Sequence, residues 1–193
     1  HFGAQILNAI EYLGTKGLIH CDLNPSNVML TNEGRVKIID FGMTIFIGRS
    51  HSIAKDANLG VVAPEVHDGP LKTRADIWSW GFLMFLMVSG GEQPCKPEDK
   101  HCNNIMWPLI KHRPEFVNMI RMALTRPVAK RTTAALLKHL RLFRGIIDWN
   151  TIASQSIPLH GESPDVAARI QIHLNAPLTL LGKDRIEAFE ARA

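Results

Sequence analysis

The residues best suited to chemistry lie in two short segments, the loop 20–27 and the triplet 40–42. A carboxylate such as Asp22 can hold a hydroxyl nucleophile and accept its proton, while Asn27 and Asp40 offer the hard oxygen atoms that divalent metals prefer. Phosphoryl transfer depends mainly on positioning and on neutralising phosphate charge, so it needs oxygen ligands at fixed places. The two segments therefore predict a metal-assisted phosphoryl-transfer site.

A short β-hairpin is predicted to position these residues. Residues 28–30 and 36–39 are apolar runs, and residues 31–34 between them favour a turn. Such a hairpin holds Asn27 at one end and Asp40 at the other. We therefore expect the two candidate metal ligands to approach each other.

Helices are predicted to surround the hairpin. Apolar residues recur at helical spacing from Phe2 to Leu13, and amphipathic helices are predicted near 115–124 and 132–143. The run 74–89 is apolar on all sides, as in a helix at the centre of a lobe. Residues 43–62 and 90–100 are predicted as loops. The predicted fold class is mainly α with one short hairpin.

The composition excludes several classes of protein. The chain has 193 residues, of which 46% are hydrophobic and 21% charged, as expected for one globular domain or one lobe with a tail. Its net charge of +4 comes from scattered basic residues, which predicts no nucleic-acid binding. The most apolar run, 77–88, is too short to span a membrane.

Cys21, Cys95 and Cys102 match no zinc-binding spacing. They are predicted to be reduced thiols of a cytoplasmic or nuclear protein.

The order of these motifs resembles that of the eukaryotic protein kinase family. The loop 20–27 is similar to the family's catalytic loop, and the triplet 40–42 to its Asp-Phe-Gly segment. Three further marks follow at matching intervals: Ala63-Pro64-Glu65, the run 76–81 and Arg131. The resemblance covers residues 2 to about 145.

The resemblance implies MgATP-dependent phosphoryl transfer to the hydroxyls of protein substrates, with ATP and Mg²⁺ as cofactors. It implies that Asp22 is the base, that Asn24 lies beside it in the catalytic set, and that Asn27 and Asp40 hold the metal. Ser50 and Ser52 are the candidate phosphorylation sites of the activation segment.

The remaining marks are expected to be structural. They are His20, Phe41, Gly42, Glu65, Asp76 and Arg131. Glu65 and Arg131 are expected to form a buried ion pair, and Asp76 to hydrogen-bond loop backbone.

The subgroup that the chain resembles most is the AGC group of serine/threonine kinases, because Phe143 is followed by the Ile-Asp-Trp triplet 147–149. The implied organisation is a kinase-like C-terminal lobe over residues 1–145 and a tail over 146–193. The N-terminal lobe that covers ATP is expected to be absent, so the chain is expected not to phosphorylate substrates unaided.

The chain also departs from the family pattern. Cys21 replaces an arginine that anchors phosphorylated activation loops, and Asn24 replaces the lysine usual in serine/threonine kinases. Val61 and Val62 occupy a stretch where a threonine is usual. These departures leave an alternative open, a pseudokinase that acts as a protein-interaction scaffold.

Overall fold

The computed structural model describes residues 1–31, 34–49, 61–67, 70–96, 99 and 102–154, together with the strand 177–179. Within these residues, the helices are α1 (Phe2–Thr15), α2 (Arg74–Ser89), α3 (Pro114–Ala123), α4 (Ala134–Lys138) and α5 (Trp149–Ser154). The strands are β1 (Leu18–Ile19), β2 (Val28–Thr31), β3 (Val36–Ile38), β4 (Ile45–Phe46) and β5 (Pro177–Thr179). Short 3₁₀ turns lie at Pro25–Asn27, Pro64–His67 and Trp107–Ile110.

Helix α2 lies at the centre of the lobe because it has no polar face, and its residues 75–86 are all buried, as predicted. Helix α1 packs closely against it, since Trp80 Nε1 donates to the Gly3 carbonyl at 2.8 Å. A Cβ atom on Gly3 would overlap the sulfur of Met84, so glycine permits this approach. Helix α2 ends at Gly90, whose φ of 81° suits glycine. Among the described residues, no helix combines the length and apolarity needed to cross a membrane.

The strands form two small antiparallel sheets. Strands β2 and β3 make the predicted hairpin, with Val28 opposite Ile38, and β5 pairs with the other edge of β2. Strand β1 pairs with β4, so the prediction of an uninterrupted loop over 43–62 is wrong at its start. Strands of two residues carry too few side chains to show an alternating pattern.

The last predicted helix is much shorter than expected. Helix α3 agrees with its predicted position, but α4 occupies only five residues in the first half of the predicted range 132–143. It begins at Thr133, whose side chain accepts a hydrogen bond from the Leu136 N–H, and turns replace it after Lys138. These turns bury Phe143 edge-on against Trp149, with ring centroids 5.5 Å apart.

The loop after α2 is closed by a disulfide between Cys95 and Cys102, whose Cα atoms lie 5.2 Å apart. Both residues are buried, and the Cys102 N–H donates to the Asp99 carbonyl at 2.8 Å. The prediction of three reduced thiols is therefore wrong for this pair, while Cys21 is a free, buried thiol. The pairing depends on how the loop folds back, which the spacing alone does not reveal.

Helix α5 packs against the lobe although it follows the predicted boundary at residue 145. Lys138 on α4 donates to Asn8 Oδ1 at 2.7 Å and pairs with Glu11 on α1. Its ammonium group lies 4.7 Å from the centroid of a Trp149 ring. The division into residues 1–145 and 146–193 stays a prediction.

Candidate functional site

A buried carboxylate fixes the loop that follows β1. Asp76, in the first turn of α2, accepts hydrogen bonds from the backbone N–H groups of His20 at 2.8 Å and Cys21 at 3.0 Å. Cys21 has a φ of 66°, a left-handed conformation that costs a non-glycine residue about 1–3 kcal/mol. The two bonds to Asp76 offset this strain and hold the loop in place.

Burial shifts the pKa of three groups around this anchor. It raises the pKa of Asp76, against the opposing effects of His20 and of the two N–H donors. It lowers the pKa of His20, with the Asp76 charge acting in the opposite direction. Burial, followed by the charges of Asp76 and Asp22, raises the pKa of the Cys21 thiol. The thiol therefore stays protonated and is a weak nucleophile.

His20 connects the loop to the segment before Asp40. Its Nδ1 accepts a hydrogen bond from the Asp22 backbone N–H at 3.3 Å, so Nε2 carries the proton and donates to the Ile39 carbonyl at 3.2 Å. The ring meets Phe41 edge-on, with centroids 4.9 Å apart. These contacts suit a neutral imidazole, in agreement with the lowered pKa of His20.

Two amide side chains hold the Asp22 carboxylate. Asn24 Nδ2 donates to Asp22 Oδ1 at 2.9 Å, and Asn27 Nδ2 donates to Asp22 Oδ2 at 2.8 Å. Asn27 also donates to the Asp22 carbonyl at 2.8 Å, and Asn24 Oδ1 accepts from the Ser26 N–H at 2.8 Å. Each carboxylate oxygen thus accepts a charge-assisted hydrogen bond, which fixes the orientation of Asp22.

The hairpin links Asp40 to this group. The Ile39 N–H donates to the Asn27 carbonyl at 3.0 Å, which places the residue before Asp40 next to Asn27. Asp40 has a φ of 60°, is exposed, and accepts a hydrogen bond at Oδ1 from the Gly42 N–H at 3.2 Å. The structure therefore brings Asp22 and Asn27 into direct contact and sets Asp40 at the neighbouring end of the hairpin.

The oxygen atoms of Asn27 and Asp40 fit a hard divalent cation. Mg²⁺ in proteins is commonly bound through one or two carboxylates together with phosphate oxygens of the substrate. Among the described residues, no cluster of three or more His, Cys, Asp or Glu side chains is arranged to hold a metal. Asn27 and Asp40 remain the candidate ligands for such a cation.

Elsewhere in the lobe, Arg131 and Glu65 form a two-point ion pair. Nη1 of Arg131 donates to Oε1 of Glu65 at 2.5 Å, and Nη2 donates to Oε2 at 2.9 Å. The Arg131 side chain is fully buried, and its guanidinium lies 5.1 Å from the centroid of a Trp78 ring. It also donates to three backbone carbonyls, those of Arg74, Thr125 and Arg126. Its contacts therefore join α2 to the turns after α3.

The predicted phosphorylation sites Ser50 and Ser52 lie outside the described residues. The described chain resumes at Val61, whose carbonyl accepts a hydrogen bond from Ser79 Oγ at 2.9 Å. The sequence interpretation missed this role of Ser79. The available signal was a hydroxyl within an all-buried helix, because a buried hydroxyl needs a partner.

Comparison of the sequence with known proteins identifies its family. The sequence profile described as "Protein kinase domain" matches residues 1–143. The 3-phosphoinositide-dependent protein kinase B of Dictyostelium discoideum is 32% identical over 174 residues, covering 81% of this chain and 19% of that protein. The serine/threonine-protein kinase PKH2 of Saccharomyces cerevisiae is 26% identical over 166 residues, covering 76% of this chain and 15% of that protein. The chain thus spans less than a fifth of the length of either relative. The chain belongs to the protein kinase family, and these relatives confirm its resemblance to AGC-like serine/threonine kinases.

Proposed function

We propose that this chain forms the large lobe of a serine/threonine protein kinase, which transfers the γ-phosphoryl group of MgATP to protein hydroxyls. The observation that carries the proposal is the arrangement of Asp22, whose two carboxylate oxygens accept from Asn24 and Asn27. Asn27 is in turn paired through its backbone with the residue next to Asp40. The candidate base and the candidate metal ligands thus share one rigid loop and hairpin, and phosphoryl transfer depends on such positioning.

Each of these side chains has one role in the proposal. A carboxylate oxygen of Asp22 accepts the hydrogen bond of the substrate hydroxyl and takes its proton. Asn27 Oδ1 and the Asp40 carboxylate hold Mg²⁺, which neutralises phosphate charge when bound. The Asp-Phe-Gly turn fixes Asp40 through the hydrogen bond from Gly42.

Asn24 positions the base rather than neutralising the phosphoryl group. Its Nδ2 donates to Asp22 and its Oδ1 accepts from Ser26, and an amide carries no net charge. Removing one charge-stabilising contact from a transition state typically costs about 3–4 kcal/mol. We therefore expect slower turnover than in kinases that carry lysine at this position.

The second candidate function is a pseudokinase scaffold that binds another protein without catalysis. The hydrogen bonds that position Asp22 also satisfy both of its oxygens inside the loop, so the loop is stable without a substrate. Cys21, in place of an arginine, is buried with a protonated thiol and offers no cation to a phosphorylated segment.

Thermal unfolding of the purified chain with ATP, with and without Mg²⁺, separates the two functions. A ligand at 100 times its Kd stabilises a protein by about 2.7 kcal/mol, which is a measurable rise in Tm. If the chain is a kinase lobe, ATP should raise Tm only when Mg²⁺ is present, and Asp40→Ala should abolish this rise in Tm. Glu92→Ala, which removes an exposed carboxylate outside the site, is the matched control and should keep the rise.

A phosphoryl-transfer assay completes the test, with an ATP-covering N-terminal lobe joined to the chain because the large lobe alone is expected not to phosphorylate substrates. Asp22→Asn should keep the MgATP-dependent rise in Tm but lose transfer to serine and threonine, because it removes the base and spares the metal ligands. A chain that melts cooperatively, shows no rise with MgATP and transfers no phosphate would favour the scaffold.

A further inference from the structure

Positive charge is concentrated in one segment of the chain, so the description of the basic residues as scattered does not hold for this segment. Residues 102–147 contain nine Lys and Arg but a single acidic residue, Glu115. The whole chain has 22 Lys and Arg against 18 Asp and Glu, so the remaining residues together are net negative. Such asymmetry within one chain is typical of a surface that binds an anionic partner.

The structure turns most of this charge outward. Two of the nine cations are used inside the lobe, Arg131 with Glu65 and Lys138 with Glu11. The other seven are exposed. We refer to these exposed residues together as the basic surface: Lys111, Arg113, Arg121, Arg126, Lys130, Arg141 and Arg144.

The basic surface runs over consecutive, connected elements. It begins before α3, continues through the turns between α3 and α4, and ends in the turns after α4. The Thr132 N–H donates to the Met122 carbonyl at 3.3 Å, which draws the start of α4 to the end of α3. The Arg74 side chain donates to the carbonyls of Val128 and Ala129, which fixes the turns between the two helices. The exposed cations therefore stand on a rigid framework.

Aliphatic side chains are exposed in the same part of the chain. They are Leu109 (37% exposed), Met122 (36%), Leu136 (58%) and Ile146 (69%). These four side chains are exposed enough to contact aliphatic side chains of a partner. Trp107 is already covered by the Arg121 guanidinium, 5.0 Å from a ring centroid, which disfavours its use as a stacking platform for nucleic-acid bases.

We propose that the basic surface is a docking site for an acidic polypeptide segment with interspersed aliphatic side chains. Carboxylates of the partner contact the seven exposed cations, whose segment contains a single carboxylate of its own. Aliphatic side chains of the partner contact the exposed Leu, Met and Ile residues. Each exposed charge pair contributes little alone, so the affinity comes from their number and falls as salt rises. The proposal is independent of catalysis.

The test is a fluorescence-anisotropy titration of the chain with a labelled peptide of repeated Glu-Glu-Leu at low salt. The triple variant Lys130→Gln, Arg141→Gln and Arg144→Gln should weaken binding about tenfold, the sum of three exposed charge pairs. Raising the salt concentration should reduce the difference in peptide affinity between the wild-type chain and this triple variant. All three positions are exposed, so circular dichroism should show an unchanged fold.

The matched control removes the same charge from elsewhere. Lys16→Gln, Lys72→Gln and Lys96→Gln are also exposed but lie outside the segment, and together they should change binding less than twofold. Equal weakening by both triple variants would mean that net charge binds the peptide, and would overturn the proposal. It would also be overturned by undetectable peptide binding at low salt, or by tighter binding to phosphatidylserine vesicles or to single-stranded DNA.

Discussion

Replacing Arg131 by methionine tests how this lobe is held together. Arg131 is fully buried, and its guanidinium donates to both oxygens of Glu65 and to three backbone carbonyls. Methionine keeps much of the apolar length of the side chain but removes every donor. Glu65, whose side chain is only 18% exposed, then loses its counter-charge in a site shielded from water.

The expected cost of Arg131→Met follows from these contacts. Breaking one partner of a buried ion pair typically costs about 3–5 kcal/mol, and a buried carbonyl left without a donor adds about 1–3 kcal/mol. Because Glu65 keeps some contact with water and the turns can relax, we expect a total near 4 kcal/mol. For a chain of this size, such a loss lowers Tm by about 8–16 °C.

Urea denaturation followed by circular dichroism measures this loss, and a double-mutant cycle with Glu65→Gln isolates the pair. The double variant should be less destabilised than the sum of the single variants, by about 1–3 kcal/mol, because it leaves no unpaired charge. Arg121→Met, an exposed arginine on Trp107, is the matched control and should cost less than about 1 kcal/mol. A cost below about 1 kcal/mol for Arg131→Met would refute the reasoning.

Three further variants test other parts of the structure. Burial lowers the pKa of His20 in the folded state, so the unfolded chain binds the proton more readily and the free energy of unfolding should fall as pH drops below about 6.5. Urea titrations from pH 7 to 5 should show this pH dependence in the wild-type chain and lose it in His20→Gln. An unchanged pH dependence in the variant would contradict the assignment. Under the proposed function, Asn24→Ala should lower kcat at least about tenfold without changing KM for ATP, because its amide contacts Asp22; a change confined to KM would count against this role. Gly81→Ala should cost about 1–3 kcal/mol in thermal or urea unfolding, because the new Cβ would lie 2.7 Å from the Ala123 Cβ; wild-type stability would show that α2 and α3 are not packed this closely.

Much of the framework is predictable from the sequence because its signals are local. The hairpin of β2 and β3 follows from two apolar runs around a turn, and α2 follows from a run that is largely apolar on all sides. The strand pair β1–β4 escapes prediction because it joins segments that are distant in the sequence. The early end of α4 escapes prediction because the chain turns where the apolar spacing of 132–143 still predicts a helix. The disulfide between Cys95 and Cys102 also escapes prediction, because it depends on the path of the loop between them.

The sequence predicts which residues form the candidate site but not the hydrogen bonds between them. The motifs single out Asp22, Asn27 and Asp40 by residue type and order. They do not show that Asn24 turns its amide onto Asp22, or that Ser79 holds the backbone of a distant segment, because both contacts depend on side-chain orientation. Identity at a motif position therefore predicts which residues take part, while hydrogen-bond geometry determines what each one does.

The polar groups that hold this lobe together are separate from those proposed to act on a substrate. Asp76 and Arg131 are buried and satisfy backbone groups, so replacing either destabilises the lobe whichever function it serves. Asp40 is exposed, and its bond to Gly42 is local, so its replacement removes the proposed metal ligand at little structural cost. Retention of the buried groups is therefore compatible with both the kinase and the scaffold. Asp40 is the position at which the two functions give different results in a protein that remains folded.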